Sequence, residues 1–400
     1  MLRIEYKGVP MKQKLASRMN KLGTESAFEV MAHAKALEAQ GRDIIHLQIG
    51  EPDFATPAHI IEAGIQALRD GQTHYSPAAG IMPLREAIVE DVYARRGVRP
   101  AVEEVIVTPG AKPIIFFTIL ACIESGDEVI YPNPGFPIYE SVINFVGGKA
   151  VPLPLLEESD FRFDPDYFRD QVNERTKLII INTPQNPTGG ILTRSDIETI
   201  ADTARERNIL VLSDEVYKNI LYDASHSSIY SLPEMRSNTI LLDGFSKTYA
   251  MTGWRLGFGV MPADLAKKIE RLMINSNSCT ATFSQYAAIA ALQGPKDEVD
   301  AMVAEFRRRR EVIVAELNKV PGFGCRKPGG AFYAFPNVSQ INMPAPDLEN
   351  YLLEEAGVAV LSGTAFGKYG AGYLRFSYAN SIENIKGGID RIREALTRIP

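Results

Sequence analysis

The chain has 400 residues, 45% of them hydrophobic and 23% charged, with a formal net charge of −6. That length suggests about two or three domains with an ample core, and the composition excludes the disordered and membrane-embedded classes. The negative balance argues against nucleic-acid binding, which needs clustered lysine and arginine to meet phosphates.

The run Arg307-Arg308-Arg309-Arg310 is the local exception. It falls in a helical-looking segment, 299–320, where a solvated face or interdomain ion pairs account for it better than a nucleic-acid patch. Cys122, Cys279 and Cys325 are odd in number and far apart, which suits a reducing compartment and gives no zinc pattern. His33, His46, His59, His74 and His226 show no metal-ligand spacing, so no metal is expected. No apolar signal core and no run of about 18 apolar residues is found, and a cytoplasmic protein with no membrane contact is expected.

Residues 1–18 mix basic and apolar types without a period and read as an N-terminal arm. The alanine-rich stretch 26–40 reads as a helix stopped by Gly41, and 44–49 as a strand running into the turn-rich Gly50-Glu51-Pro52-Asp53-Phe54. A polar loop carrying Tyr75 precedes a helix over 83–95. The strand 104–108 breaks at Pro109-Gly110-Ala111-Lys112 ahead of a buried helix through 114–120. Small residues at such a turn let backbone amides approach an anion, which a helix N-terminus also favours, although glycine serves equally to turn a chain.

The strand 128–131 leads to Pro132-Asn133-Pro134-Gly135-Phe136-Pro137, stiffened by its prolines into a platform. The strand 177–182 leaves into the tight turn Thr183-Pro184-Gln185-Asn186-Pro187-Thr188-Gly189-Gly190, and a helix over 195–208 returns the chain to a strand at 209–213. There Asp214-Glu215-Val216-Tyr217 follows, with Asp214 either a helix N-cap or a buried carboxylate in need of a cation. From about 295 a long helix leads to strand-like segments 330–335, 356–360 and 372–379. The last holds Arg375, costly in an apolar strand unless an anion meets it.

The organising stretch is the apolar strand 239–243 and its continuation Gly244-Phe245-Ser246-Lys247. A lysine delivered by a buried strand into glycines and hydroxyls is a candidate covalent anchor, although alone it reads far more readily as a solvated loop charge. Together with Gly253-Trp254-Arg255-Leu256-Gly257 it resembles the cofactor-lysine motif of class I aminotransferases, fold-type I enzymes that use pyridoxal 5'-phosphate. Gly50-Glu51-Pro52-Asp53-Phe54 and Asn186-Pro187-Thr188-Gly189 extend the resemblance in the expected order. It implies that Lys247 forms a Schiff base with the cofactor and that Arg255 and the Gly110-Ala111-Lys112 turn hold its phosphate. It also implies that Phe136 stacks on the ring where many relatives have tryptophan, that Asn186 and Tyr217 meet the ring oxygen, and that Asp214 meets the protonated ring nitrogen. Arg375 would bind the substrate α-carboxylate by a bidentate pair beside Gly50 and Asn186. Tyr75 would reach the phosphate of a neighbouring subunit, which implies a homodimer with shared sites.

The same resemblance implies an α/β fold-type I transferase. A large domain, 53–295, would hold a mostly parallel seven-stranded sheet, and a smaller α/β domain would combine 19–52 with 296–400. The alternation of strands and helices from 100 to 260 points the same way, with ligands beyond the carboxyl ends of strands. The implied reaction is ping-pong transamination between an L-amino acid and a 2-oxoacid such as 2-oxoglutarate, with Lys247 as base and acid. Lys112 stands where the aspartate-using bacterial branch has a lysine for the distal carboxylate, which favours aspartate or glutamate. Glu25, Ser26 and Ala27 stand where those relatives have small hydroxyl residues, which leaves an alanine, aromatic or broad-specificity aminotransferase open; a pyridoxal-phosphate β-lyase is the alternative chemistry.

Overall fold

The structure, a computed structural model, describes residues 15–399. Residues 1–14 of the expected arm lie outside the described residues, and the chain enters through a short 3-10 turn, Ser17–Lys21.

In chain order come α1 (Ser26–Glu38), β1 (Ile45–His46), α2 (Ala58–Arg69), α3 (Met82–Arg96), β2 (Val105–Thr108) and α4 (Lys112–Cys122). Next are β3 (Glu128–Asn133), α5 (Ile138–Val146), β4 (Lys149–Pro154), α6 (Pro165–Gln171), β5 (Thr176–Asn182) and α7 (Arg194–Arg207). Then follow β6 (Leu210–Asp214), β7 (Thr239–Gly244), β8 (Gly257–Val260), α8 (Ala263–Ser276) and α9 (Thr282–Gln293). The C-terminal part has α10 (Asp297–Leu317), β9 (Tyr333–Ala334), α11 (Ala345–Ala356), β10 (Val358–Ala359), β11 (Leu361–Ser362), β12 (Leu374–Ser377) and α12 (Ile382–Leu396).

Seven strands form one sheet in the order β2-β8-β7-β6-β5-β3-β4. Both faces are covered, so its strands read as unbroken apolar runs rather than alternating ones. In β5, Leu178 and Ile180 pack with α4, α5 and α8 on one side, while Ile179 and Ile181 pack with Ile197 and Ile200 of α7 on the other. The start of α7 is fixed by a capping box between Thr193 and Asp196. β8 is antiparallel to both β2 and β7, and the remaining pairs are parallel. Two antiparallel steps restore direction, so β2, β3, β5, β6 and β7 all open their carboxyl ends on the same rim. The strand order reverses between β3 and β5, which places a crevice beyond those ends.

A second core joins α10, α11 and α12 to the antiparallel sheet β11-β12-β9 and the parallel pair β1-β10. Ile385, Ile389 and Ile392 of α12 recur at helical spacing and are all buried in it. The strand expected over 44–49 is shorter than its apolar run. β1 ladders with β10 over only Ile45 and His46, and then Leu47 accepts from Ser377 N at 2.7 Å, so the backbone changes partner strand and the ladder stops. The arginine run on α10 is divided between surfaces: Arg309 meets Asp53 at 2.6 Å, and Arg310 meets Asp223 at 2.6 Å. No described helix is long and apolar enough to cross a membrane.

Behind β6 and β7 lies a buried ion cluster. Glu215 accepts from Arg96 Nη2 at 2.6 Å, Ser228 Oγ at 2.6 Å and Ser213 Oγ at 3.0 Å, while Lys218 is paired with Asp243. Burial alone would raise the Glu215 carboxyl, but Arg96, His226 and Ser228 together hold it well below the usual carboxylate range. A depressed carboxyl stabilises the fold above its unfolded value of about 4.3 and loses that contribution as pH falls. Replacing Arg96 by methionine strands the Glu215 charge and is expected to cost about 3–5 kcal/mol at neutral pH. The urea midpoint reads this loss, and the gap to wild type should narrow as pH falls through the carboxylate range; an unchanged midpoint would contradict the role given to Arg96.

Candidate active site

The crevice at the rim holds a cavity of about 450 Å³. Gly50, Ala111, Lys112, Phe136, Asn186, Asp214, Tyr217, Lys247, Arg255 and Arg375 line it. Gly110 stands immediately behind this wall, and Tyr75 lies outside the cavity, 89% exposed. The sequence reading missed Tyr139 and Tyr333, which reach site residues across the fold and leave no local pattern, and Asn182, whose Oδ1 accepts from Asn186 N at 2.9 Å within the same strand exit.

Asp214 closes β6 and is buried. A turn follows it instead of a helix, so it caps no helix. Its carboxylate accepts from Tyr139 Oη at 2.6 Å and from Val216 N at 3.3 Å, and no described cation pairs with it. Burial pushes its carboxyl up to about 6, helped by the charges of Asp243 and Glu215 and opposed by the two donors.

Lys247 follows β7, and its Nζ donates to Gly50 O at 2.5 Å. Burial pulls its ammonium down to about 8; Arg375 and Lys112 act in the same direction, and Glu51 and Glu25 oppose them. Arg375 on β12 donates to Asn186 Oδ1 at 3.0 Å and Gln48 O at 2.5 Å, and its Nε has no partner. It is buried, makes no ion pair with a described carboxylate, and lies 4.5 Å over the Tyr333 ring. A guanidinium so placed is an anion site waiting for its anion.

At the β2–α4 turn, Gly110 has φ +90° and its N–H is taken by Thr108 O at 2.8 Å. Its contribution is therefore shape: a Cβ there would collide with the Arg255 guanidinium. The amides of Ala111 and Lys112, at the start of α4, have no acceptor among the described residues. Arg255 has φ +54°, is exposed, and donates only to the carbonyls of Thr252 and Pro109. Lys112 Nζ is paired with Glu25 at the cavity wall. Phe136 supplies an aromatic wall, edge-to-face with Tyr139 at 5.8 Å.

These groups suit pyridoxal 5'-phosphate chemically. There is a helix-start cradle with an unpaired arginine for a phosphate, a buried carboxylate lacking a cation for a protonated pyridine, and a partly deprotonated amine for an aldehyde.

The family described as aminotransferase class I and II matches residues 42–392. The probable aspartate/prephenate aminotransferase of Aquifex aeolicus (strain VF5) is 43% identical, covering 97% of this chain and 100% of its own length. Aromatic-amino-acid aminotransferase 2 of Thermococcus litoralis is 41% identical, covering 90% of this chain and 93% of its own. The solved structure of the Thermus thermophilus aspartate aminotransferase with maleate has a TM-score of 0.92 at 35% identity, covering 95% of this chain and 99% of that one. A mostly parallel seven-stranded sheet whose rim gathers that constellation, matched over nearly the whole chain, makes this protein a member of the class I and II aminotransferases, enzymes that use pyridoxal 5'-phosphate.

Proposed function

We propose that this aminotransferase moves the amino group of an L-amino acid, aspartate or glutamate by preference, to a 2-oxoacid such as 2-oxoglutarate, in two half-reactions at one site. The observation that carries this reading is one cavity shared by a depressed lysine, a buried carboxylate without a cation and a buried arginine without an anion. When bound, pyridoxal 5'-phosphate supplies an aldehyde with which amines condense and an electron-poor ring that accepts the electron pair left at the substrate Cα.

Lys247 would hold the cofactor's aldehyde carbon as a neutral amine, and its lowered pKa of about 8 makes a usable fraction neutral near pH 7. When free, the same nitrogen would be the base that takes the substrate Cα proton and the acid that delivers it to the former aldehyde carbon of the cofactor. Asp214 would hold the proton on the ring nitrogen, Tyr217 and Asn186 would meet the ring oxygen, and Phe136 would supply an aromatic face for the ring. The Ala111 and Lys112 amides would hold the phosphate, with Arg255 supplying the charge and Gly110 the clearance. Arg375, beside Gly50 and Asn186, grips the α-carboxylate through its planar fork.

The relatives named for aspartate support a dicarboxylate substrate, with Lys112 as the group for its distal carboxylate. Glu25 occupies that lysine, so a dicarboxylate must displace it. The exposure of Tyr75 and Arg255 supports a homodimer in which Tyr75 of one subunit reaches the phosphate held by the other. The core built mostly from residues beyond 296, with Ile45 and Leu47, supports a small domain of 19–52 with 296–400 on a large domain of 53–295. Free Cys122, Cys279 and Cys325 support a reducing, cytoplasmic setting.

Aspartate is expected to bleach the visible band of the cofactor-loaded protein and 2-oxoglutarate to restore it, and Lys247→Ala should lower turnover by at least about 10⁴-fold. Release of ammonia and pyruvate from serine or cysteine, whose β substituent can leave, in place of amino transfer would mean β-lyase chemistry. In stopped-flow mixing of the cofactor-free protein with pyridoxal 5'-phosphate, the capture rate should climb with pH and level off above about 8, because only the deprotonated Lys247 amine reacts. A rate flat from pH 6 to 9 would contradict that assignment. Glu25→Gln frees Lys112 from a partly exposed pair worth about 0–1 kcal/mol, so kcat/KM for aspartate should rise up to about fivefold while that for alanine stays unchanged. Equal changes for both substrates would remove Glu25 from substrate choice.

A further inference from the structure

Tyr333 has no role in the reading above, although it touches three of the groups that reading uses. It lies buried on β9, opposite Ser377 of the strand that carries Arg375. Its hydroxyl is 2.6 Å from that of Tyr217. The Arg375 guanidinium lies 4.5 Å over its ring centroid. Gly50 packs so closely on it that a Cβ there would overlap the phenol oxygen, and the same Gly50 carbonyl accepts from Lys247 Nζ at 2.5 Å.

A phenol hydroxyl has one proton to give and lone pairs to accept with. In the Tyr217–Tyr333 pair, therefore, one oxygen donates and the other accepts, and neither has another described hydrogen-bond partner. If Tyr217 donated to Tyr333, its only proton would be spent in the protein wall and it could only accept from the cavity. If Tyr333 donates, Tyr217 keeps its proton for a cavity acceptor.

The surroundings decide between the two. Arg375 stacks on the Tyr333 ring at 4.5 Å and draws electron density from it, whereas the Tyr217 ring has Phe332 and Tyr333 edge-on at 5.5 and 5.7 Å and its nearest cation, Lys247 Nζ, farther off at 6.0 Å. Burial raises both phenols and Arg375 works against that rise at both, while Asp214 adds to it at Tyr217 and Glu25 at Tyr333; the guanidinium stacked directly on its ring makes Tyr333 the stronger acid and the better donor. The charged and titratable groups that face the pair are Arg375, Asp214, Glu25 and Lys247.

We propose that Tyr333 is a positioning residue that donates its hydroxyl proton to Tyr217 and so directs the Tyr217 proton at the ring oxygen of the cofactor. This rests on the placement of Tyr217 at that oxygen, proposed above. Tyr333 also places the orientation of Tyr217 under the hand of the arginine that grips the substrate.

The test is an absorbance–pH titration of the cofactor-loaded wild type, Tyr217→Phe, Tyr333→Phe and the double variant. Both substitutions keep the ring and remove one oxygen. A proton donated to the ring oxygen stabilises its ionised form, so weaker donation moves the midpoint to higher pH. Tyr333→Phe should shift it upward by about half a pH unit, the size of a cooperative contribution to one hydrogen bond. The double variant should match Tyr217→Phe alone, because Tyr333 acts only through Tyr217. An unmoved midpoint in Tyr333→Phe, or additive shifts in the double variant, overturns the inference and leaves the placement of Tyr217 standing. An unmoved midpoint in Tyr217→Phe overturns that placement and the inference with it.

Discussion

Asp214 and Glu215 are consecutive carboxylates, both buried, at the carboxyl end of β6. Glu215 is neutralised by Arg96 at 2.6 Å and accepts from two serines, whereas Asp214 meets only a tyrosine hydroxyl and a backbone amide. An ionised carboxylate taken out of water without a counter-charge costs several kcal/mol. The chain has the means to neutralise such a group, because it does so one residue later. The asymmetry has a physical explanation if the missing cation arrives with a ligand, and the same reasoning applies with opposite sign to Arg375. Asp214 and Arg375, buried charges of opposite sign on the same cavity, thus mark where a cationic and where an anionic group can lie.

The sheet makes this arrangement possible. Each functional group is carried on a short exit from a strand, and the parallel direction of β3, β5, β6 and β7 brings the exits together although they are far apart in sequence. The antiparallel β8 inserted between β2 and β7 adds the turn between β2 and α4 to the same rim without a further crossover. The ion cluster of Arg96, Glu215, Lys218 and Asp243 lies directly beneath. It ties the end of β6, from which Asp214 and Tyr217 reach the cavity, to β7, which leads to Lys247.

What was legible in the sequence was whatever has a local signature. Buried parallel strands read as apolar runs, their exits carry glycine, proline and hydroxyl residues, and Lys247, Asp214 and Asn186 stand at such ends, while Arg375 stands out as a charge within the apolar, antiparallel β12. Contacts made across the fold could not be read. Tyr139 reaches Asp214 over 75 residues and Tyr333 reaches Tyr217 over 116, and each looks in sequence like an ordinary core aromatic. The strand expected over 44–49 failed for a related reason, since an apolar run shows burial but not the partner of each backbone amide. Gly110 shows the limit of motif reading: the glycine is needed, but its amide is already bonded and the free donors belong to Ala111 and Lys112.

The arginine run on α10, the least informative feature by composition, supports the site from a distance. Arg309 meets Asp53 at 2.6 Å and lies 4.9 Å over the Phe54 ring, and Phe54 packs edge-to-face on Phe306 at 5.3 Å. The loop from Gly50 to Phe54 is thus fastened to α10 three residues beyond the glycine whose carbonyl receives Lys247. Gly50 also closes on Tyr333, so its position is set from both sides by the C-terminal core. A lysine borne by the large sheet therefore finds its resting acceptor on a loop held by the C-terminal core, and any movement between the two would be felt first at the Lys247 nitrogen.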